Sequence, residues 1–374
     1  MLETQTHLIP WADLERKQHF EAWLAPMANE HRLHLSTLRP ASADASFRRY
    51  FRVDSSVPGQ AQQGLASFIL MDAPPDKENS EPFVRIAKLM QSAGLLVPQV
   101  LNWNERHGFM LLTDLGTKTM LDVLDKQAGY EHTSSTVSAN LPLYEQALDA
   151  LVAWQLASKP AVLPPYDEAM LRRELQLFPD WYIAKHKGIT LTTSQQATLD
   201  KAFSTIVANN LASPSVYVHR DFMPRNLMSP YPHWTLEANN SQQLGVLDFQ
   251  DAVYGPITYD IASLMRDAFL SWEEDFVLDV TIRYWHKAKA AGLPMLEEWH
   301  SDFGAFYKAV ECMGLQRHLK ILGIFARLTL RDGKPKYLAD TPRFITYVRA
   351  TCNRYIELKP LLRLIDEIEL KAHA

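Results

Sequence analysis

The residues most suited to chemistry lie in two short segments that each follow a strand-like run of apolar residues. Residues 219–226 contain His219, Asp221 and Asn226 in the spacing H-x-D-x-x-x-x-N, and Asp248 follows the apolar run 244–247. Phosphoryl transfer from ATP needs an aspartate that orients the attacking hydroxyl and accepts its proton. It also needs hard oxygen ligands, which an asparagine and a second aspartate supply, to hold Mg²⁺ against the triphosphate. The pattern therefore predicts a phosphoryl-transfer site on loops at strand ends.

A purely structural interpretation of the same residues is also open. His219 and Asp221 can be turn residues, and Asp248 can cap a helix. The phosphoryl-transfer interpretation is favoured because Asp248 follows Asn226 by only 22 residues (248 − 226), at the end of a second apolar run. The preceding part of the chain also predicts a lobe of the kind that such enzymes use.

That lobe is small and occupies about the first 115 residues. Apolar residues at helical spacing predict helices over 14–24 and 82–93, and Gly94 ends the second. Alternating aromatic and arginine residues or short apolar runs predict four strands, over 46–53, 66–71, 97–103 and 108–112.

The remainder of the chain predicts a mostly helical lobe. Apolar stripes predict five helices, over 141–158, 262–276, 277–291, 302–330 and 341–368. Two short strands are predicted just before the chemical residues, over 215–219 and 243–248. The fold class expected from these elements is α+β.

Composition and charge exclude several classes of protein. A chain of 374 residues, with 47% hydrophobic residues, buries a sizeable core and allows two or three structural units. The net charge of −5 argues against a protein that binds a nucleic-acid backbone. Two cysteines are too few for a disulfide framework or a zinc cluster. Because the sequence shows neither a signal-peptide pattern nor a membrane-length apolar stretch, we expect a cytoplasmic protein with no nucleic-acid or membrane partner.

On these motifs the chain resembles the aminoglycoside phosphotransferase-like small-molecule kinases, relatives of the protein kinases. The resemblance extends from about Ser46 to at least Arg266. It implies a two-lobed fold with ATP in the cleft between lobes, here a nucleotide-binding lobe over 1–112 and a helical lobe over 113–374. It also implies Asp221 as catalytic base, Asn226 and Asp248 as Mg²⁺ ligands, and a structural role for Asp260.

A true protein kinase is disfavoured because only residues 249–258 separate Asp248 from Tyr259, too few for an activation segment. Within the family, residues 45–52, 70–75, 219–226 and 247–252 look closer to bacterial anomeric kinases of N-acetylmuramate and N-acetylglucosamine. That closer resemblance implies an enzyme of peptidoglycan recycling that makes a sugar 1-phosphate. The preference between the two sugars and the oligomeric state stay open.

The sequence departs from the family where positive charge is expected. The strand over 68–71 has no lysine to hold the ATP phosphates, and Met223 stands where many kinases have a second lysine. The triphosphate still needs compensating charge. Arginine suits phosphate well, so four arginines are candidate replacements, although each can also be a solvated surface residue: Arg48, Arg49, Arg52 and Arg225.

Alternation along the strand places Arg49 on the same face as Phe47 and Phe51, and places Arg48 and Arg52 with Tyr50 on the other. The residues expected to contact the nucleotide are Ser46, Phe47, Arg49, Leu112, Asp114 and Arg225. Ser46 would cap a phosphate, and Leu112 to Asp114 would form the hinge that meets adenine. An equally open role for Asp114 is capping the next helix.

The acceptor site has weaker signals. Asp251, Arg266 and Asp267 follow the catalytic segment and are candidates for binding sugar hydroxyls, an acetamido group or a lactyl carboxylate. Each can instead belong to a structural ion pair. Two other functions stay open: a kinase of another small alcohol or aminoglycoside, and a pseudokinase that binds nucleotide without efficient transfer.

Overall fold

The computed structural model describes residues 9–11, 13–43, 47–58, 65–124, 134–229 and 243–371. The chain divides into two compact units. The first comprises Met1–Lys118 together with the later segments Met228–Pro232 and Asn239–Gln250. The second comprises Thr119–Leu227, His233–Ala238 and Asp251–Ala374. The assignment of nucleotide binding to residues 1–112 and of catalysis to residues 113–374 stays a prediction.

The first unit is built on a five-stranded antiparallel sheet in the order β1-β2-β3-β5-β4. Its elements in chain order are α1 (Leu14–Glu30), β1 (Leu33–Ala43), β2 (Arg49–Pro58), β3 (Leu65–Asp72), α2 (Glu81–Ser92), β4 (Val100–Asn104) and β5 (Phe109–Thr113). The predicted helices and strands of this region are present. The edge strand β1 was not predicted, because Pro40 and a polar composition interrupt its alternation and its pairing with β2 is irregular.

One face of this sheet packs against α1. Phe51 and Val53 alternate along β2 onto that face and are buried with Phe20 and Trp23 of α1 and with Leu70 of β3. The register pairs Phe51 with Leu70, so neighbouring strands present their apolar residues to the same helix. The β2 face that carries Phe51 is therefore the face turned toward this core.

The second unit is mainly helical. Its elements are α3 (Met120–Val123), α4 (Ser134–Leu156), α5 (Glu168–Leu175), α6 (Thr193–Ala212), β6 (Ser215–Val218), β9 (Val253–Pro256), α7 (Thr258–Met265), α8 (Glu274–Ala290), α9 (Phe303–Leu330), α10 (Thr341–Arg354) and α11 (Lys359–Lys371). The short strands β7 (Leu227–Met228) and β8 (Gly245–Val246) precede β9 in the chain. Strand β6 pairs antiparallel with β9, and the long helix α9 packs against α6, α7 and α10.

Several helical regions differ from the prediction. The helix predicted over 262–276 is interrupted, because α7 ends at Met265, α8 begins at Glu274 and the residues between them are not helical. The segment predicted as one helix over 341–368 is two, α10 and α11, because the backbone becomes extended at Tyr355. Pro360 has no N–H to continue a helix from α10, but it is accommodated in the first turn of α11. Helices α5 and α6 were not predicted. A capping box, in which Thr192 and Gln195 bond reciprocally, starts α6. The T-x-x-Q spacing of these two residues is the sequence signal that could have predicted this helix.

The described helices include none that is long and apolar enough to cross a membrane.

Candidate active site

The loop that carries the predicted base is attached by its backbone to a buried carboxylate. It follows β6, and Asp260 in the first turn of α7 accepts hydrogen bonds from the N–H groups of His219 at 2.7 Å and Arg220 at 3.0 Å. Asp260 is fully buried, and burial raises its pKa to about 7. The loop conformation that presents Asp221 therefore depends on Asp260, consistent with the structural role that the sequence resemblance implied.

Arg220 is held in an unusual conformation by a second buried carboxylate. Its φ of 78° lies in the left-handed region, which non-glycine residues seldom adopt. The guanidinium donates to Glu174 of α5 at 2.7 Å, and its other terminal nitrogen approaches the carbonyl oxygen of Asp251 at 3.5 Å. The side chain of Arg220 thus fixes the residue that directly precedes Asp221.

Glu174 also binds a lysine from the long helix α9. The Nζ atom of Lys320 lies 2.9 Å from Glu174 and 3.3 Å from the hydroxyl of Tyr259, and the hydroxyl of Tyr166 donates to Glu174 at 2.5 Å. Burial alone would raise the pKa of Glu174, but the charges of Lys320 and Arg220 outweigh it and the pKa lies below its ordinary value. Glu174 is therefore a buried anion between two cations.

The half-buried Asp221 lies near the same two cations. Burial alone would lower the pKa of Lys320, but its neighbours, including Glu174 and Asp221, keep it above its ordinary value. Glu174 and Lys320 were not among the predicted functional residues. The one available signal was a charged residue, Lys320, inside the otherwise apolar run 319–326.

The predicted ligand Asn226 is buried and fixed to the backbone of the base. It ends the 3₁₀ turn Pro224–Asn226, and its Nδ2 donates to the carbonyl oxygen of Asp221 at 2.8 Å. This bond leaves the amide oxygen as the ligand atom in the predicted role. Arg225 is exposed, and its guanidinium lies 4.6 Å from the centre of the Phe269 ring. Its predicted phosphate contact stays a prediction.

The other predicted ligand, Asp248, lies in the first unit, two residues after the end of β8. It is exposed and has a φ of 62°, and its carboxylate accepts a bond from Nε2 of Gln250 at 2.9 Å. The next residue, Phe249, is fully buried, with its ring 4.9 Å from that of Phe83 in α2. Packing of Phe249 therefore anchors a strained turn that exposes the carboxylate.

Arg48, the residue directly before β2, lies within electrostatic range of Asp248. Burial alone would lower its pKa, but Tyr50, Glu78 and Asp248 raise it above the ordinary value. The guanidinium forms an ion pair with Glu78 at 3.2 Å, and both side chains are nearly buried. A cation paired with a glutamate thus lies near the predicted metal ligand.

The other two strand arginines also bind carboxylates. Arg49 lies on the α1 side of the sheet and donates to the fully buried Asp72 at 2.9 Å, and Arg16 binds the same carboxylate. Arg52 donates to Asp114 at 2.5 Å. The phosphate contact of Arg49 stays a prediction, and the proximity of Arg48 to Asp248 leads us to give that role to Arg48 in the proposal below.

The predicted hinge residues occupy the end of β5 and the turn after it. Leu112 is buried and pairs with Ile69 of β3. Asp114 accepts bonds from the hydroxyl of Ser67 at 2.7 Å and the N–H of Gly116 at 2.9 Å, besides that of Arg52. Asp114 therefore organises this turn and is not the cap of α3. Its contact with adenine stays a prediction.

The remaining predicted nucleotide residues are less informative. Ser46 lies outside the described residues. Phe47 is 62% exposed, and its N–H donates to Glu78 at 3.0 Å. Their roles stay predictions.

The three predicted acceptor residues differ in environment. Asp251 is exposed. Arg266 donates to Glu274 at 2.7 Å and to the hydroxyl of Tyr307 at 3.1 Å, which is the structural ion pair that the sequence left open. Asp267 is buried. Their contacts with a substrate stay predictions.

The described part of the chain contains no group of three or more His, Cys, Asp or Glu side chains that could hold a metal ion by themselves. The predicted donors Asn226 and Asp248 are an amide oxygen and a carboxylate. Mg²⁺ prefers hard oxygen ligands and is commonly held by one or two protein groups together with substrate phosphates. The donor chemistry therefore fits a Mg²⁺-nucleotide.

Comparisons with known proteins find similarity to phosphotransferases and kinases. A family model described as a phosphotransferase enzyme family matches residues 37–299. Proteins named N-acetylmuramate/N-acetylglucosamine kinase from Pseudomonas putida and Pseudomonas aeruginosa are 43% and 46% identical to the chain. The first alignment covers 96% of this chain and 98% of the relative, and the second covers 90% of each.

A solved structure supports the fold. The crystal structure of a putative aminoglycoside phosphotransferase from Ralstonia eutropha is 14% identical in sequence and superposes with a TM-score of 0.56, covering 95% of this chain and 98% of its own. The predicted α+β kinase-like fold is thereby confirmed.

Proposed function

Because the chain belongs to the phosphotransferase enzyme family, whose model spans residues 37–299, we propose that it is an ATP-dependent sugar kinase. Its substrates are N-acetylmuramate and N-acetylglucosamine, and the phosphoryl group goes to the anomeric hydroxyl. The observation that carries the proposal is the 43–46% identity, over nine tenths or more of the chain, to relatives named as kinases of these sugars. A kinase consuming ATP and making a sugar 1-phosphate from cell-wall sugars would act in the cytoplasm, in peptidoglycan recycling.

In the proposed reaction Asp221 is the general base. Its carboxylate takes the proton of the acceptor hydroxyl as that oxygen forms a bond to the γ-phosphorus of ATP. The bond between the γ-phosphorus and the bridging oxygen breaks, and ADP leaves with that oxygen. The bonds that Asp260 makes to the N–H groups of His219 and Arg220 support this role, because they fix the loop backbone beside the base.

The residues proposed to hold the metal are Asn226 and Asp248. When bound, Mg²⁺ neutralises charge on the transferring phosphates. Asn226 uses its Nδ2 to bind the Asp221 carbonyl, so one residue links the position of a ligand oxygen to that of the base. Asp248 presents its carboxylate from a turn that the buried Phe249 fixes.

We propose Arg48 as the cation that replaces the missing strand lysine toward the phosphates. Its support is electrostatic: although Arg48 pairs with Glu78, its proximity to Asp248 places a cation near a predicted metal ligand. Arg49 and Arg52 already bind Asp72 and Asp114.

The proposed acceptor is the anomeric hydroxyl, which is more acidic than an ordinary alcohol because the ring oxygen withdraws electron density. A carboxylate base deprotonates it with less help, which fits Met223 in place of a lysine on the catalytic loop. The 1-O-methyl glycoside of N-acetylglucosamine then has no acceptor and should be inert. The 6-deoxy analogue should react.

The decisive experiment is coupled ADP release by the full chain with a panel of amino sugars, aminoglycosides and choline, with and without Mg²⁺. Turnover of the two amino sugars that needs Mg²⁺, with phosphorus NMR showing coupling to the anomeric proton, is the expected result. Asp221→Asn should lower turnover by roughly 10²–10⁴-fold and leave ATP binding nearly intact. Turnover of aminoglycosides or choline instead, rapid turnover of the methyl glycoside, or ATP binding without transfer to any acceptor would each overturn the proposal.

A further inference from the structure

Three polar side chains of the second unit are buried without the hydrogen bonds that buried polar atoms normally make. Asp267, Arg317 and His318 are 2%, 3% and 1% exposed. Within the described part of the chain, both carboxylate oxygens of Asp267, Nε and Nη1 of Arg317 and both ring nitrogens of His318 lack a hydrogen-bond partner. About 90% or more of buried polar groups in folded proteins have one. Three neighbouring exceptions therefore need a physical explanation.

Arg317 lies beside the loop that carries Asp221 and within electrostatic range of Asp267. Nη2 of Arg317 donates to the carbonyl oxygen of Arg220 at 3.5 Å, in the residue before the proposed base. Burial raises the pKa of Asp267 to about 6, and the nearby backbone amides of Phe269 and Ala268 and the charges of Arg317 and Arg343 oppose that shift. Arg317 thus connects the Asp267 region to the loop that carries the base.

The third side chain joins this region through helix α10. The His318 ring stacks on that of Tyr347, with the ring centres 4.9 Å apart. The hydroxyl of Tyr347 bonds to Ser271 at 2.5 Å, and Arg343 donates to the carbonyl oxygen of Ala268 at 2.8 Å. These bonds hold the segment that contains Asp267 against α10.

His318 is neutral in this environment. Burial and the charges of Arg317 and Arg266 keep its pKa well below the ordinary value, against the opposing effect of a nearby backbone group of Arg266. A neutral imidazole offers one donor and one acceptor. Together the three side chains offer donors from Arg317, acceptors from Asp267, and one of each from His318.

We propose that Arg317, Asp267 and His318 form the acceptor-recognition subsite, in which Arg317 donates to an acyl oxygen of the amino sugar and Asp267 accepts from its hydroxyl groups. The proposal rests on the proposed function and assigns the part of the substrate that each side chain contacts. N-acetylglucosamine offers hydroxyl groups and an acetamido oxygen, and N-acetylmuramate adds a lactyl carboxylate. A guanidinium fork matches either acyl oxygen, and matches a carboxylate with two bonds.

This assignment explains why the polar atoms lack partners. A site built to hydrogen-bond a substrate leaves its groups unpaired until the substrate binds, and it rejects analogues that lack the matching group. Because all of these atoms are covered in the unliganded chain, sugar binding must displace a covering side chain.

The test compares Arg317→Lys and Asp267→Asn with Arg349→Lys as the matched control. Arg317→Lys keeps the positive charge but loses the planar fork, and Arg349 makes an exposed ion pair with Asp366 on α10 and α11. Each variant is measured for the Michaelis constants of both sugars and of ATP. Its melting temperature is measured without ATP, with and without each sugar.

The expected result is a rise in the sugar Michaelis constant of roughly tenfold to a hundredfold in Arg317→Lys and Asp267→Asn, the range for hydrogen bonds to charged groups. The Michaelis constant for ATP and the melting temperature without sugar should stay unchanged. The rise in melting temperature on adding sugar should be lost. A larger loss with N-acetylmuramate assigns Arg317 to the lactyl carboxylate, and an equal loss with both sugars assigns it to the acetamido oxygen.

Michaelis constants for the sugars that equal those of the wild type in both Arg317→Lys and Asp267→Asn would overturn the inference. A lower melting temperature with no change in sugar affinity would also overturn it. The two failures are distinguishable. If the unaltered protein transfers phosphate to neither sugar, the proposed function fails. If it transfers phosphate and the variants bind sugar equally well, only the subsite assignment fails. The sugar-induced change in melting temperature needs no turnover, so the subsite is tested in either case.

Discussion

Replacing Glu174 with glutamine should strongly destabilise the folded chain, although glutamine and glutamate have nearly the same size. The substitution keeps the shape of the side chain but removes the anion that Arg220 and Lys320 share at 2.7 and 2.9 Å. The Glu174 side chain is only 8% exposed, so water does not replace the lost charge. Two buried cations are then left next to each other.

The magnitude follows from that geometry. Removing one partner of a buried ion pair costs about 3–5 kcal/mol, because an uncompensated buried charge remains. Whole domains are stable by only about 5–15 kcal/mol. The same change at Glu168, six residues earlier in α5, removes an exposed i,i+4 pair with Arg172 and should cost about 0.3–0.5 kcal/mol.

The assay is urea unfolding of both variants, followed by tryptophan fluorescence at pH 7 and at acid pH. Because the folded pKa of Glu174 lies below its unfolded value, its contribution is present above about pH 4.3 and is lost as the pH falls through the folded pKa. The gap between wild type and Glu174→Gln should therefore narrow in acid. Turnover should also fall in Glu174→Gln, since Arg220 precedes the proposed base. Equal stability of Glu174→Gln and Glu168→Gln at pH 7 would refute the reasoning.

Three further predictions concern the nucleotide and the loop. Asp248→Ala should weaken binding of Mg²⁺-ATP far more than of metal-free ATP in calorimetry, since the carboxylate acts through the ion; an equal loss would contradict a ligand role. Arg48→Ala should raise the Michaelis constant for ATP roughly tenfold to a hundredfold, whereas Arg39→Ala, which breaks an exposed pair on the same sheet, should have no effect; matching constants would exclude Arg48 from the phosphates. Asp260 has a folded pKa of about 7, above its unfolded value, so its contribution to stability should fall as pH rises from about 4 to 7. The unfolding free energy of wild type relative to Asp260→Asn should therefore be lower at pH 8.5 than at pH 5, and an unchanged difference would show that Asp260 does not titrate there.

The sequence predicted the elements whose signals are local. The strands over 66–71 and 108–112 are short apolar runs, and both are strands of the central sheet. The motif of His219, Asp221 and Asn226 indicated a loop after a strand, and β6 does end immediately before it. Such features are set within a few residues of chain, so patterns alone recover them.

What the sequence could not predict depends on long-range packing. Alternation showed that Arg49 and Phe51 share a face of β2, but the burial of that face under α1 involves Phe20 and Leu24, which precede Phe51 by 31 and 27 positions in the chain. The carboxylate partners of Arg49 and Arg52 are likewise 23 and 62 residues away. No local pattern identifies such pairs, and so the choice among the arginines required the structure.

Helix α9 carries two cations that reach the loop of the proposed base, Arg317 directly and Lys320 through Glu174. Arg317 and Lys320 are three residues apart on α9, a spacing that places both side chains on the same side of the helix. Lys320 acts on the catalytic loop through Glu174 and Arg220, whereas Arg317 reaches the Arg220 carbonyl directly. The loop itself has Met223 where many kinases have lysine. Positive charge near the proposed base therefore comes from α9 as well as from Arg220 on the loop itself. A cation on a helix loses less freedom when the substrate binds than one on a loop. The position of Arg317 on α9 accordingly favours the acceptor contact that we propose for it.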